Sequence, residues 1–285
     1  MSRPATMTAV SLYSTPEAKT RSISLIRLAI NLGISIGPAI AGLLAARVGY
    51  FWLFFGDGIT CVLAGLFFLK MLSPRSRKAE DDFLEQEDVK ESVYSDRIFL
   101  LYLGLFLIGL ICFFQILSTA PLFLENELHL SKIEIGLFFT ANGLLIFLFE
   151  MPIVYVLERS RNAMLWVVIG GLMTAGSYLF LSVPGPVWLI VSVYTLLITF
   201  GEILNFPFSN AIALSRGSGK KVGQFMGLYT MTFSLSLILA PIVGTWIIDH
   251  SSYRTAWIAI GGIAIISMIG LYTLRGHINQ DALVE

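Results

Sequence analysis

Residues 187–212 read VWLIVSVYTLLITFGEILNFPFSNAI, an apolar run that contains a single charged side chain, Glu202. A helix needs about 20 mostly apolar residues to cross a hydrocarbon core about 30 Å thick. The run is long enough. Its apolar residues also surround the whole helix instead of following one face, as expected for a segment that contacts both lipid and other helices. The stretch therefore predicts a membrane-spanning helix.

Similar apolar runs lie on both sides of this stretch. A turn at 183–186, Val-Pro-Gly-Pro, separates it from the preceding run, because two prolines and a glycine favour a tight turn over a continued helix. The eight predicted spans are 23–45, 50–71, 98–120, 135–157, 164–183, 187–212, 223–248 and 253–274. The predicted fold class is an all-α, polytopic membrane protein with about eight transmembrane helices.

The composition supports this class. Apolar residues make up 56% of the chain and charged residues only 13%, whereas soluble domains carry about 25% charged residues; the mean hydropathy is +0.78. These values exclude a disordered chain, a nucleic-acid-binding protein and an ordinary cytosolic enzyme.

Cys61 and Cys112 lie in apolar runs, so we expect no metal site and no disulfide framework. We find no enzyme or cofactor motif, and without a nucleotide-binding loop any transport is driven by an ion gradient or is passive.

The most polar segment, residues 73–97, reads SPRSRKAEDDFLEQEDVKESVYSDR and is too charged to enter a bilayer. We interpret it as a solvated linker that separates two spans from the following six. The segments between the predicted spans alternate between the two sides of the membrane. Fifteen of the nineteen Lys and Arg residues lie on the side of this linker and three lie on the opposite side. The remaining one, Arg27, lies within the first span. The excess of basic residues predicts that the linker and both termini of this chain are cytoplasmic.

The chain repeats itself at an offset of 203 residues. Pro4 aligns with Pro207 and Pro38 with Pro241, each pair in a similar context of spans and basic loops. Several secondary transporters are built from such repeats about an axis along the membrane normal. By this alignment, four helices equivalent to the third to sixth spans would precede Met1, giving about 390 residues and twelve spans. We therefore predict that residues 1–72 are the last two helices of one six-helix half, and that residues 98–285 are the whole second half.

Several motifs resemble those of the major facilitator superfamily. The resemblance rests on Arg3-Pro4-Ala5, on the stretch NLGISIGP at 31–38, on GEILNFP at 201–207 and on Glu158-Arg159-Ser160-Arg161. Gly33, Gly37, Pro38 and Gly42 are similar to the glycine-proline motif of the proton-coupled drug exporters of that superfamily. The resemblance implies a two-half carrier in a cell membrane that lacks its first four helices here and that exports small lipophilic compounds in exchange for protons.

Glu202 is the leading candidate for chemistry, because an ionisable group at bilayer depth is costly and needs a reason. Two interpretations stay open. Glu202 binds a proton or a cationic substrate, or it is a structural carboxylate that is hydrogen-bonded to Asn205 or to a neighbouring helix. Asn205 and Gln115 are further candidates, since the resemblance places their helices beside a central cavity. Asn142 is expected to form an uncharged polar contact between helices.

A second group of residues is predicted to gate the cycle. Glu150 could pair with basic residues of the cytoplasmic loops and so stabilise one state. A similar role for Glu158 and Arg159 is implied by the resemblance alone. Gly33, Gly37 and Gly42 form a small-residue surface on which another helix could pack closely, and Pro38 permits a bend.

Two functional classes remain open. The first is a secondary transporter whose partners are the lipid bilayer, a small-molecule substrate and a proton; nutrient import is an alternative to export within this class. The second is a non-transporting fragment, or one that needs the missing N-terminal helices from a longer product or a separate chain. No nucleic-acid partner is expected.

Overall fold

The computed structural model describes residues 50–71, 93–157, 162–216 and 222–276, together with isolated positions at 29, 33, 37, 40, 47, 49 and 278. Within these ranges the chain forms helices and no strand. Two short 3-10 turns occur at Val93–Ser95 and Phe114–Leu117. The α-helices are α1 Tyr50–Met71, α2 Arg97–Phe113, α3 Thr119–Asn126, α4 Lys132–Leu157, α5 Ala163–Leu181, α6 Val187–Ser215, α7 Val222–His250 and α8 Tyr253–Thr273.

The described residues contain seven helical stretches that are long and apolar enough to span a membrane, with α2 and α3 together forming one of them. This agrees with seven of the eight predicted spans. The predicted span 23–45, apart from four isolated positions, and most of the charged linker lie outside the described residues.

Helices α2 to α8 pack into one bundle. α5 lies between α6 and α8, α2 packs against α7 and α8, and α4 packs against the remaining side of α6. The centre of the bundle is aromatic: the ring of Tyr178 on α5 stacks on Trp257 of α8 at a centroid distance of 5.5 Å and packs beside Tyr194 of α6 at 5.8 Å. These three side chains are fully buried. No residue of the membrane-spanning part of α1 is buried in the described structure.

The α5–α6 contact is the closest in the bundle because glycines face each other across it. A Cβ atom added to Gly170 would lie 2.6 Å from the carbonyl oxygen of Gly201, and one added to Gly201 would lie 2.8 Å from the carbonyl oxygen of Gly170. The two backbones therefore touch, as small residues permit in membrane helices. This contact sets the position of the residues that follow Gly201 on α6.

The predicted span 98–120 is confirmed as a membrane-spanning stretch, which extends from Arg97 to Asn126 and contains a break in the α-helix. The α-helix stops at Phe113, passes through the 3-10 turn and resumes at Thr119. Pro121 favours the break, because its ring would clash with the carbonyl group four residues earlier, at Leu117, in a continuous helix, and in the structure it lies in the first turn of α3. The hydroxyl of Tyr178 donates a 2.9 Å hydrogen bond to the Phe113 carbonyl at the break.

Candidate functional site

Glu202 lies in the second half of α6, directly after the glycine contact, and its side chain is half-buried. Because Gly201 holds α6 against α5, Glu202 is turned toward α4. Two polar residues of α4, Asn142 and Glu150, lie close enough to influence its carboxyl group. The structure therefore brings Glu150, predicted from the sequence as a latch for the loops, together with Glu202.

Both α4 residues are withdrawn from the protein surface. Asn142 is 6% exposed and Glu150 is 7% exposed. They lie eight residues apart in the sequence, which is about two helical turns, so they share one face of α4. This face packs against α6 and forms one wall of the candidate site.

Thr199 extends the polar cluster along α6. The Nδ2 group of Asn142 donates a 2.8 Å hydrogen bond to Oγ1 of Thr199, and the Thr199 hydroxyl donates a 2.6 Å bond to the carbonyl oxygen of Thr195. The cluster thus links the α6 backbone, the α4 amide and the Glu202 carboxyl group. From the sequence, Asn142 was expected only to form a polar contact between helices. Thr199 was not selected, because one threonine in an apolar helix does not stand out as a functional residue.

Asn205 lies one turn beyond Glu202 but faces a different helix. Its Nδ2 group donates a 3.1 Å hydrogen bond to the carbonyl oxygen of Val167 on α5, while its Oδ1 atom is buried and has no hydrogen-bond partner in the structure. Asn205 and Thr174 line a small cavity between the helices. The centre of a water molecule could occupy about 10 Å³ of it. A cavity of this size has room for about one water molecule. Asn205 is not the hydrogen-bond partner of Glu202, so that part of the structural interpretation is not supported.

Gln115 is fully buried in the 3-10 turn between α2 and α3. Its Nε2 group donates to the carbonyl oxygens of Ile111, at 3.0 Å, and Ala240, at 2.9 Å. Its Oε1 atom accepts from the hydroxyls of Thr119, at 2.7 Å, and Ser118, at 3.3 Å. The amide therefore joins the helix break to α7, and all its donors and acceptors are used within the protein. Its predicted contact with a substrate stays a prediction.

Aromatic side chains border the face of α6 that carries Glu202. Phe206 lies one turn after Glu202, and its ring packs against Phe113 of α2 at 4.8 Å and Phe233 of α7 at 5.4 Å. Phe206 and Phe233 are half-buried. One turn of α6 thus presents a carboxyl group and a partly accessible aromatic surface side by side.

An ion pair that the sequence analysis did not select joins two helix ends. Asp96 caps the N-terminus of α2, since its Oδ1 atom accepts a 2.9 Å hydrogen bond from the backbone N–H of Phe99. Its Oδ2 atom lies 3.5 Å from Nη1 of Arg216, the residue that follows α6. An aspartate directly before an apolar run and an arginine directly after one are helix-end signals that could have identified the pair.

The remaining predicted residues lie at the edges of the described structure. A Cβ atom added to Gly33 or Gly37 would meet no atom within 4 Å, so none of the described helices packs on these two positions. Pro38, Gly42, Glu158 and Arg159 lie outside the described residues. Their packing and gating roles stay predictions.

A family model supports the resemblance seen in the sequence. The model of the Major Facilitator Superfamily matches residues 1–218 and, in a second alignment, residues 123–281. The two alignments together cover nearly all of the chain.

Curated relatives point to the same family. The chain is 24% identical over 271 residues to the MFS-type transporter SLC18B1 of Mus musculus, an alignment that covers 88% of this chain and 54% of the mouse protein. It is 21% identical over 260 residues to the MFS-type transporter YttB of Bacillus subtilis (strain 168), covering 89% of this chain and 64% of that protein. The chain thus spans between half and two thirds of the length of these relatives.

Solved structures share the fold. The crystal structure of a POT family transporter in complex with 5-aminolevulinic acid superposes with a TM-score of 0.66 at 14% identity, covering 93% of this chain and 71% of the other. A POT family transporter in complex with a thioalcohol-conjugated peptide gives a TM-score of 0.64 at 15% identity. On the evidence of the helical bundle, the family model and these relatives, the chain belongs to the major facilitator superfamily.

Proposed function

We propose that this chain acts in secondary transport and that Glu202 binds the coupling proton. The observation that carries this proposal is the presence of two acids at the interface of α4 and α6, Glu150 and Glu202, which lie near enough for their charges to interact, both within helices that are long and apolar enough to span a membrane. Ionisable residues in such segments are costly and mark ion or substrate pathways.

The pair is suited to take up a proton. Two ionised carboxylates that face each other in a medium of low dielectric constant repel strongly, and one added proton removes most of this repulsion. Asn142 carries both N–H donors and a carbonyl acceptor, so its amide can hydrogen-bond a carboxylate or a carboxylic acid. Glu202 is the more accessible of the two acids, which makes it the group that exchanges protons with a water-filled pathway.

We propose that the transported compound is small and lipophilic. Support comes from the aromatic surface beside Glu202 and from an adjoining cleft between the helix break and α7. This cleft of about 390 Å³ is lined mainly by apolar side chains, among them Phe114, Leu122 and Leu237. We propose export as the direction, because the stretch around Gly33 and Gly37 is similar to the exporter motif. Import stays the alternative.

The cell membrane is the proposed location, with both termini of this chain on the cytoplasmic side. We further propose that the chain works with the first four helices of the repeat, supplied by a longer product or by a separate chain. The curated relatives exceed it in length, and no residue of the membrane-spanning part of α1 is buried in the described structure.

Proton uptake by the purified protein tests the role of Glu202 without knowledge of the substrate. After a small acid pulse across neutral pH in weakly buffered detergent solution, we expect the wild type to bind about one proton more per chain than Glu202→Gln. Glu125→Gln is the matched control, because Glu125 is exposed at the end of α3. Equal uptake by the wild type and Glu202→Gln would show that Glu202 is a structural carboxylate.

Transport is then tested in liposomes that enclose a pH indicator and that contain this chain together with the first four helices, either as the longer product or as a separate chain. Ethidium, a lipophilic cation, is added outside together with an imposed pH gradient. We expect proton movement that depends on ethidium in the wild type and in Glu125→Gln, and none in Glu202→Gln.

A further inference from the structure

The amide of Asn142 is held in one orientation by Thr199. A threonine hydroxyl carries a single proton, and that of Thr199 is donated to the Thr195 carbonyl at 2.6 Å. Toward Asn142 the Thr199 oxygen can therefore only accept, and it accepts from Nδ2 at 2.8 Å. Since the Thr199 side chain is fully buried, water cannot replace either bond.

A fixed amide offers fixed atoms to its other neighbour. One bond of the Asn142 amide is directed to Thr199. Glu202 lies three residues after Thr199 on α6, about one helical turn, so its carboxyl group is the next polar neighbour of the amide. If the amide could rotate freely, it would present either its N–H or its carbonyl edge to Glu202. With Nδ2 directed to Thr199, the arrangement of donor and acceptor that Glu202 meets is constant.

Few other groups compete for Glu202. Glu150 is the charged side chain that faces it from α4. The neighbouring helices α5 and α7 carry no Asp, Glu, Lys or Arg over residues 163–181 and 222–248. The tyrosine hydroxyls of these two helices are bonded elsewhere, Tyr178 to the Phe113 carbonyl and Tyr229 to the Ser209 hydroxyl. Asn142, bonded to Thr199 one turn before Glu202, is thus the uncharged polar side chain of α4 that is placed to interact with Glu202.

We propose that Thr199 is a positioning residue, which fixes the Asn142 amide through the Thr195 carbonyl and thereby determines the hydrogen-bonding environment of the Glu202 carboxyl group. The proposal rests on the proposed function in one respect, namely that Glu202 becomes protonated during the cycle. It adds that a threonine without contact to the proton or the substrate controls the acid.

Infrared difference spectroscopy on the reconstituted protein tests this directly. Spectra recorded at low and high pH contain carbonyl bands of protonated carboxyl groups, and the Glu202 band is the one that disappears in Glu202→Gln. We expect this band to shift in frequency and to broaden in Thr199→Val, because the freed amide adopts more than one orientation. Thr199→Ser keeps the hydroxyl and should restore the wild-type band.

Thr195→Val is the matched control. Thr195 also donates its hydroxyl to the backbone, to the Val191 carbonyl at 2.6 Å, and the substitution leaves the Thr195 carbonyl in place. The proposal predicts an unchanged Glu202 band in this variant. An equal shift in Thr195→Val, or a wild-type band in Thr199→Val, would overturn it.

Asn142→Leu covers the case in which Thr199→Val does not fold. Removal of the amide should move the Glu202 band to the frequency of a carboxyl group without that partner, and an unmoved band would again overturn the proposal. The two levels of inference are separable. The absence of any Glu202-dependent band would contradict proton binding itself, whereas a band that ignores Thr199 and Asn142 would contradict only the positioning role.

Discussion

Glu150 of α4 and Glu202 of α6 lie at the interface of these two helices, near enough for the charges of their carboxyl groups to interact. Natural proteins seldom place two acids together in a membrane-spanning region unless one of them changes its protonation state, because the repulsion is weakly screened there. Glu150 is only 7% exposed, so water screens little of this repulsion.

A double-mutant cycle measures the coupling between these two acids. We expect the effects of Glu150→Gln and Glu202→Gln on the free energy of unfolding to be non-additive by about 0.5–3 kcal/mol at neutral pH, since either change removes the same repulsion. Unfolding is followed by dodecyl sulfate titration in mixed micelles. Glu125→Gln combined with Glu202→Gln should be additive, and additivity in the Glu150 cycle would show that the two carboxylates do not interact.

The glycine contact between α5 and α6 should not tolerate a methyl group. Gly170→Ala places a Cβ atom 2.6 Å from the Gly201 carbonyl oxygen, and separating the helices to relieve this overlap should cost about 1–3 kcal/mol of unfolding free energy. Gly176→Ala is the control on the same helix, because a Cβ atom there would meet no atom within 4 Å. Equal stability of the two variants would contradict the close packing.

Gln115 should matter for the junction between the helix break and α7. Gln115→Leu removes the bonds to Ala240 and Thr119 and leaves the freed groups buried, so we expect a loss of about 2–3 kcal/mol in the same unfolding assay. Gln224→Leu is the control, since Gln224 is exposed at the start of α7. A neutral Gln115→Leu would mean that the junction is held by apolar packing.

Asp96 combines two roles that substitution can separate. Asp96→Asn keeps an N-cap acceptor and loses the ion pair with Arg216. Because this ion pair is partly exposed, its loss should lower the free energy of unfolding by about 1 kcal/mol or less. Asp96→Ala loses the cap as well and should cost about 1 kcal/mol more. Added salt should reduce the difference in unfolding free energy between the wild type and Asp96→Asn, because salt screens the ion pair. A difference that does not depend on salt would argue against a role for the ion pair.

The order and approximate bounds of the membrane helices followed from the sequence alone. The predicted span 50–71 coincides with α1, and the predicted turn at 183–186 lies between α5 and α6. Such segments are predictable because a hydrocarbon core demands a long apolar helix whatever surrounds it. The helix break had a sequence signal in Pro121, but a proline inside an apolar run does not by itself distinguish a break from a tolerated kink; α6 and α7 continue through Pro207 and Pro241.

Glu202 could be selected from the sequence because a lone charge in an apolar run stands out against its surroundings. The residues that lie around Glu202 could not be identified from the sequence. Glu202 and Asn205 are close in sequence yet contact different helices, α4 and α5, because three residues turn the helix through only about 300° and Gly201 fixes which side meets α5. Whether Glu202 meets Asn142, Glu150 or lipid depends on how α4 packs against α6, a relation between distant segments that leaves no local trace. The sequence determined which segments cross the membrane and where the buried acid lies, and the tertiary structure decided which groups that acid meets.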